Sequence, residues 1–480
     1  MSPKKKIVKK VVKKPVSKKT VPKPISKTSG AGAKVTKKIE DPKTAVRVYK
    51  TKSPTLLRGF KDILPKDDRF WTTMRRTAEN LADAYGYKWL ETPILEEASL
   101  FIRSIGRGTD VVDKEMYVFE DKDGSKICLR PEATASLARA YIDHGMHTLP
   151  QPVKTWYWGP MFRHDRPQAG RYREFHQFGC ETVGVKDPVV DAELIAVSYY
   201  FLKDLGINST VFLNSIGTVV DRQNYVVELV GYLRSKRSYL CDVCKKRINK
   251  NPLRVLDCKS EDCQTVLEDA PQIIDWLSDD SRNFFMKVLE YLDDLGIPYE
   301  LKSTLVRGLD YYTDTVFELY KEDGEEGAQS ALGGGGRYDG LISELSGKEV
   351  VPACGFSLGI ERVMNALKEE ENKQNFVYEE TNRIFFAQLG EQARHVTLRL
   401  IEELRKNGIV VKHNLAKTAL KVQLELANKY KADYTIILGQ KEVQDGTIII
   451  RDMESGIQEI IDQKKLVNNI KKKLEKEAKK

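Results

Sequence analysis

Between Trp156 and Glu181 the chain reads WYWGPMFRHDRPQAGRYREFHQFGCE: two apolar runs flank a polar loop that carries Arg163, Arg166, Arg171 and Arg173. If the outgoing run from Arg173 to Glu181 is a strand, residues two apart share a face. Phe175, Gln177 and Glu181 then point the same way, and Gly179 between them lets a ligand approach the backbone. A flat ring, an amide and a carboxylate would line one surface. Across the turn, Arg163 offers a planar guanidinium suited to a phosphate oxygen. Phosphate recognition beside a stackable ring suggests a nucleotide. Taken alone, the pattern also fits an amphipathic hairpin with a solvated basic tip.

Other segments carry similar chemistry. LVRGLDYYTDTVFELY (305–320) places Arg307, Tyr311 and Tyr312 at a turn ahead of a strand-like run, Thr315 to Tyr320. ALGGGGRYDGL (331–341) is glycine-rich, but no Lys-Ser/Thr follows, so a Walker-type phosphate loop is unsupported. CGFSLGIERV (354–363) reads as a strand entering a helix with Arg362 near its start. ICLRPEATASLARA (127–140) sets Glu132 and Thr134 at a strand-to-helix junction, where free backbone N–H groups meet short polar side chains. Helix capping would account for Thr134 equally well.

The hairpin 156–181 resembles motif 2 of class II aminoacyl-tRNA synthetases, in the form found in histidyl-tRNA synthetases. Segments 305–320 and 331–341 resemble the two histidine-specific motifs of that family, and 354–363 resembles motif 3. The resemblance covers residues 54–480. It implies an α+β fold: an antiparallel sheet core with flanking helices, a helical insertion domain and a C-terminal α/β anticodon-binding domain. It implies ATP-dependent activation of histidine to histidyl-adenylate and transfer to the 3′-terminal ribose of its tRNA. By resemblance Arg163 contacts the α-phosphate, Arg362 the γ-phosphate and Arg171 the phosphate tail, while Phe175 stacks on adenine. Arg307 would hold the substrate carboxylate and the α-phosphate together. Glu132, Thr134 and Gln177 would take the ammonium, and Glu181 with Tyr312, beside Tyr311, the imidazole nitrogens. Mg²⁺ would accompany ATP. Ala133 stands where the family often has glycine, and Asp165 where a glutamate is common. The competing reading is a non-catalytic synthetase-like regulatory subunit of ATP phosphoribosyltransferase, which generally lacks the C-terminal domain.

The elements that must position these residues can be read in order. From Asp67 to about Tyr85, Trp71, Met74, Ala78, Leu81 and Ala82 recur at helical steps, giving one apolar stripe. Tyr87 to Pro93 reads as a strand ending at proline; helix, strand and proline together resemble motif 1, which in the class forms much of a homodimer interface. Residues 221–300 have no counterpart in the shared core and resemble the insertion domain within a catalytic domain at 53–375. KEEENKQN (368–375) reads as a linker. Beyond it, strands are expected at Ile384–Gln388, Ile409–Lys412, Tyr434–Leu438 and Thr447–Arg451, with helices at Ala393–Lys406 and Thr418–Tyr430. This alternation suggests a small α/β domain at 381–480.

Within the insertion, Cys241, Cys244, Cys258 and Cys263 form a CxxC followed by a CxxxxC, among seven cysteines in all. Four thiolates at such spacing can close a structural zinc site, and in a cytosolic protein that outranks a disulfide framework. Four small buried hydrophobes or reducible thiols are the other reading. Across 480 residues there is room for two or three domains. The chain contains no apolar run of about eighteen residues and no signal-peptide pattern, so a cytoplasmic location without a membrane span is expected.

Charge is unevenly placed. Residues 1–40 hold fourteen lysines and one carboxylate, whereas the whole chain carries +10. Residues 1–52 are therefore expected to be a disordered tail, either a solubilising arm or a polycation that touches RNA phosphates. In the second case, deleting residues 1–50 leaves pyrophosphate exchange unchanged and flattens the plot of log tRNA affinity against log salt, each phosphate contact contributing roughly 0.7–0.9 to the slope. Equal slopes for full-length and truncated protein identify a solubilising arm.

Overall fold

The computed structural model describes residues 54–106, 109–167, 170–322, 331–372 and 384–477. The lysine-rich segment 1–52 lies outside the described residues. Among them, no helix is long and apolar enough to cross a membrane.

An eight-stranded sheet runs in the spatial order Lys88–Trp89, Val153–Phe162, Glu174–Val183, Ala353–Gly359, Ala331–Arg337, Thr313–Lys321, Ser209–Ser215, Tyr299–Leu301. The six inner strands pair antiparallel, and each outermost strand pairs parallel with its neighbour. Period-two alternation gives the sheet two chemically different faces. Phe178, Cys180, Phe317 and Phe356 point to one side and bury against helices Asp68–Ala84, Pro188–Asp204, Asp279–Leu295 and Ile360–Asn372, through Met74, Phe201, Leu292 and Val363 among others. Residues one step out of phase, including Glu181, Glu318, Gly355 and Ser357, face the other way.

Register against this core is held by a buried ion cluster. Arg337, at the end of the glycine-rich strand, has a side chain wholly shielded from solvent; it pairs with Asp191 of helix Pro188–Asp204 and, at 2.9 Å, with Asp339. Asp339 also accepts the Ala353 N–H at 3.1 Å, tying in the next strand.

Segment 221–300 divides in two. Helices Val219–Ser235, Asp242–Lys250 and Glu261–Glu268 gather around the cysteines in a second apolar cluster. Helix Asp279–Leu295 and strand Tyr299–Leu301 instead belong to the main sheet layer. The C-terminal unit has five strands, ordered Lys412–His413, Ile384–Gln388, Tyr434–Leu438, Thr447–Asp452, Gln458–Asp462. The first three are parallel and the last two antiparallel.

Several boundaries differ from the sequence reading. The strand expected over Tyr87–Pro93 shrinks to Lys88–Trp89, a sheet edge with one neighbour, ahead of a proline that has no N–H to pair. The strand expected from Ile409 begins only at Lys412, because the Ile409 N–H closes the preceding helix on the Leu404 carbonyl behind Gly408 at φ +76°. The segment read as a linker from Lys368 is helical to Asn372, since its charges are matched across the packing: Lys368 to Asp67, Glu371 to Arg69, and Glu369 and Glu370 to Lys321. Gln458–Asp462 is a strand that was not expected; it is mostly exposed and lacks the apolar alternation that marks one.

Removing Arg337 would leave Asp191 buried without its cation. Arg337→Ala is expected to destabilise the protein by about 3–5 kcal/mol, the range for breaking a buried pair. Urea unfolding followed by circular dichroism checks this, and a loss below about 1 kcal/mol would contradict the role given to the pair.

Candidate active site

The face of the sheet opposite the helices holds a cavity of about 330 Å³. Its floor is the glycine-rich strand, where side chains would collide with the neighbours: a Cβ on Gly334 would meet the Phe317 carbonyl at 2.3 Å and Arg307 Nη1 at 2.9 Å. Gly355 in the adjacent strand is equally constrained, since a Cβ there would lie 1.5 Å from Glu181 Oε2.

One end of the cavity is lined with carboxyl groups. Glu132 accepts the N–H groups of Thr134 and Ala135 at 2.7 and 2.9 Å, so this carboxylate caps helix Thr134–Asp143. The Thr134 hydroxyl is thereby free for another partner and donates to Glu181 Oε1 at 2.8 Å. Tyr338 donates to Glu181 Oε2 at 2.5 Å, and the Tyr311 hydroxyl stands 3.5 Å from Glu132. Burial pushes the Glu181 carboxyl up to about 8, the hydroxyls of Tyr338 and Thr134 offsetting only part of the effect. Burial also raises Glu132. Gln177 donates through Nε2 to Ser357 Oγ at 3.1 Å, while its Oε1 is buried without a partner. That oxygen is an acceptor waiting for a donor. Ala133 sits at φ −101°, ψ −29°, a conformation any residue adopts, so its methyl group costs the backbone nothing.

The other end is cationic. Arg163 Nε is held by the Pro131 carbonyl at 2.8 Å with its guanidinium 5.5 Å from the Phe175 ring centroid. Arg362 Nη1 is held by the Ala331 carbonyl at 2.6 Å. Neutral carbonyls orient these cations without neutralising them. Burial lowers the Arg362 pKa, and the nearby Arg171 and Arg163 lower it further. Arg171 pairs with Asp165. Arg307 pairs with Glu318, has its Nε buried without a partner, and lies 5.5 Å from the ring of Tyr312. Burial is the largest single influence and works against its charge, but Glu318 together with Tyr312 and Tyr311 outweighs it and raises the Arg307 pKa.

Arg163, Arg171, Arg307, Arg362, Glu132, Thr134, Phe175, Gln177, Tyr311 and Tyr312 all line this one cavity. Glu181 reaches it through Thr134 and against Gly355. Arg166 does not line it and is exposed. Cys241, Cys244, Cys258 and Cys263 form a separate group, their four sulfur atoms all within 4.8 Å of one another. The sequence reading missed Tyr338, although it directly follows Arg337 in a strand-ending Arg-Tyr pair that must send one side chain to each face. It also missed Glu318, the one carboxylate in the run Thr315 to Tyr320, which was a usable signal.

A cationic end and a carboxyl-lined end lie on one antiparallel sheet, joined by an arginine-bearing hairpin, which is the arrangement that the resemblance to class II aminoacyl-tRNA synthetases implies. Residues 59–363 match the histidyl-tRNA synthetase family and residues 383–473 an anticodon binding domain. The chain is 45% identical to the histidine–tRNA ligase of Dehalococcoides mccartyi strain 195 over 418 residues, covering 87% of this chain and 99% of that protein. It is 45% identical to the histidine–tRNA ligase of Aquifex aeolicus over 403 residues, 84% and 97% of the two chains. The crystal structure of apo S. aureus histidyl-tRNA synthetase superposes with a TM-score of 0.71 at 35% identity, covering 87% of this chain and 99% of that one. The chain belongs to the histidyl-tRNA synthetase family.

The raised Glu181 value has a direct consequence for stability. Unfolded, this carboxyl ionises near 4.5; folded, it holds its proton to about 8. The folded state therefore binds the extra proton between these values, and stability falls as pH rises through the interval. Glu181→Gln is expected to abolish that part of the decline. Melting temperatures measured from pH 4.5 to 8 test it, and parallel curves for the two proteins would exclude a protonated Glu181.

Proposed function

We propose that this chain activates histidine with ATP and transfers it to the terminal ribose of its tRNA. The observation that carries the reading is the two-ended cavity: guanidiniums oriented by neutral carbonyls at one end, buried carboxyls and an unpartnered amide oxygen at the other. The relatives' names favour this over the regulatory-subunit alternative, as does the match to an anticodon binding domain.

In this reading Arg163 and Arg362 bind the α- and γ-phosphates, Arg171 assists at the phosphate tail, and Phe175 stacks on adenine. Glu132, Thr134 and Gln177 receive the α-ammonium, with Gln177 Oε1 gaining the donor it lacks. Glu181 and Tyr312, beside Tyr311, face the imidazole. Tyr338 positions Glu181. A histidine carboxylate oxygen bonds to the α-phosphorus as the bond to pyrophosphate breaks, and Arg307 neutralises charge on both reacting groups. The terminal ribose hydroxyl then forms an ester with the histidyl carbonyl carbon, and AMP departs. Catalysis is largely positioning and charge stabilisation. Mg²⁺ would arrive with ATP and neutralise pyrophosphate charge. Glu318 at the cavity wall does not fit the metal, because both of its oxygens are engaged, one by the Arg307 guanidinium and the other by the Tyr320 hydroxyl.

We assign residues 53–375 to the catalytic domain, the cysteine-bearing part of 221–300 to an insertion, and 381–480 to anticodon binding. A homodimer is proposed through the motif 1 region, supported by the exposed apolar side chain of Trp89 within it and of Leu95, Val118 and Phe119 beyond it. The site of action is taken as the cytoplasm.

The four cysteines are proposed to hold one structural Zn²⁺. A regular tetrahedron with Zn–S of about 2.3 Å spaces its sulfurs by roughly 3.8 Å, and Cys241 Sγ lies 3.9 Å from Cys258 Sγ. The Cys241 N–H points to Cys263 Sγ at 3.2 Å and the Cys244 N–H to Cys241 Sγ at 3.5 Å, as thiolates require. The span Cys241–Cys263 bears six basic and four acidic side chains, a surplus that balances the two negative charges of a four-thiolate zinc centre.

Arg307→Ala is expected to lower histidine-dependent ATP–pyrophosphate exchange by about 10²–10³, the effect of removing one charge-stabilising donor, with the circular dichroism spectrum retained. Exchange within about threefold of wild type would remove Arg307 from the mechanism, a loss far below that expected of such a donor.

A further inference from the structure

Helix Asp242–Lys250 and the 3₁₀ turn Pro252–Val255 make up the loop between Cys244 and Cys258. A nine-residue helix is too short to persist by itself in water. Fastening both ends of the loop at one point removes much of its remaining conformational freedom.

This loop reaches the turn that bears Arg307. Arg254 donates from its guanidinium to the Gly308 carbonyl. Asn251 Nδ2 donates to Asp310 Oδ1 at 3.2 Å. Arg247 Nη1 in turn holds the Arg254 carbonyl at 3.1 Å. From the first helix of the same segment, Arg222 Nη1 donates to the Tyr312 carbonyl at 2.7 Å. Three points along residues 307–312 are thus gripped by side chains that approach from the cysteine-bearing segment. Arg307, Tyr311 and Tyr312, which lie on this turn, all line the cavity.

We propose that the cysteine centre is a brace for the amino-acid site: with metal bound, the loop 245–257 is rigid, and Arg254 and Asn251 act as positioning residues that hold the 307–312 turn in its binding geometry. Histidine affinity then depends on the metal although no cysteine touches the substrate. The inference rests on the ligase reading and on the structural zinc site given above.

The test uses the full chain, purified without a metal-affinity column. Zinc is measured by plasma emission, histidine and ATP constants by pyrophosphate exchange, and backbone mobility by hydrogen exchange at 305–312. The expected result is one zinc per chain. Chelation should raise the histidine KM about tenfold, the equivalent of one or two net hydrogen bonds, with a smaller change in kcat and in the ATP KM. Amide exchange at 305–312 should accelerate, and added Zn²⁺ should reverse both effects. Arg254→Ala should keep its zinc and show the same rise in histidine KM, which guards against a chelated protein that simply unfolds. Wild-type protein with no zinc and four freely titrating thiols would overturn the centre. Zinc present, with Arg254→Ala unchanged in histidine KM and in exchange at 305–312, would overturn the brace. Zinc-dependent protection of 305–312 in a chain inactive with histidine would uphold the brace and refute the ligase reading.

Discussion

Arg337 is enclosed between Asp191 and Asp339 at the end of a strand whose preceding residues are glycines. Those glycines bring no side chains to pack, so burial alone does little to fix the strand against sliding. Its two ends supply the restraint. At the start, Arg362 grips the Ala331 carbonyl; at the finish, Arg337 is anchored to the helix beneath the sheet. Irregularities of pairing with strand Thr313–Lys321 fall at both ends, between Ala331 and Gly333 and between Gly336 and Arg337. Tyr338 follows directly, so the same anchor that sets the register delivers the hydroxyl that meets Glu181.

The polarity of the cavity follows from how each end is held. Buried carboxyls are met by hydroxyls and helix N–H groups, which are neutral donors and leave room for a cationic or hydrogen-donating ligand. Arg163 and Arg362 are met by carbonyls, so their charge remains available to an anion. Arg307 lies between, its charge shared with Glu318. A ligand carrying phosphates at one end and an amino acid at the other would satisfy both sets at once. The glycine floor permits that approach, because Gly334 brings no side chain into the cavity.

The cysteine segment shows how a distant cluster can bear on the site without entering it. Its own apolar residues, such as Leu240, Ile248 and Val255, are buried in the same cluster as Tyr311 and Tyr312. The segment therefore packs on the turn as well as bonding to it.

The sequence by itself determined which residues could do chemistry and which elements were strongly periodic. The hairpin 156–181 was legible because alternation puts Phe175 and Gln177 on one face, and the helix from Asp68 because its apolar stripe is continuous. Strand and helix ends were less legible: Ile409 is apolar, but its N–H is committed to closing a helix, and the charged run at 368–372 is helical because its partners come from residues 67, 69 and 321. Only tertiary structure decided that Glu132 takes the capping role and releases Thr134 to Glu181, that Tyr338 faces Glu181, and that Glu318 meets Arg307. These contacts join residues brought together by strand order and register. Local spacing carries the periodicity of an element but holds no record of which element lies beside it.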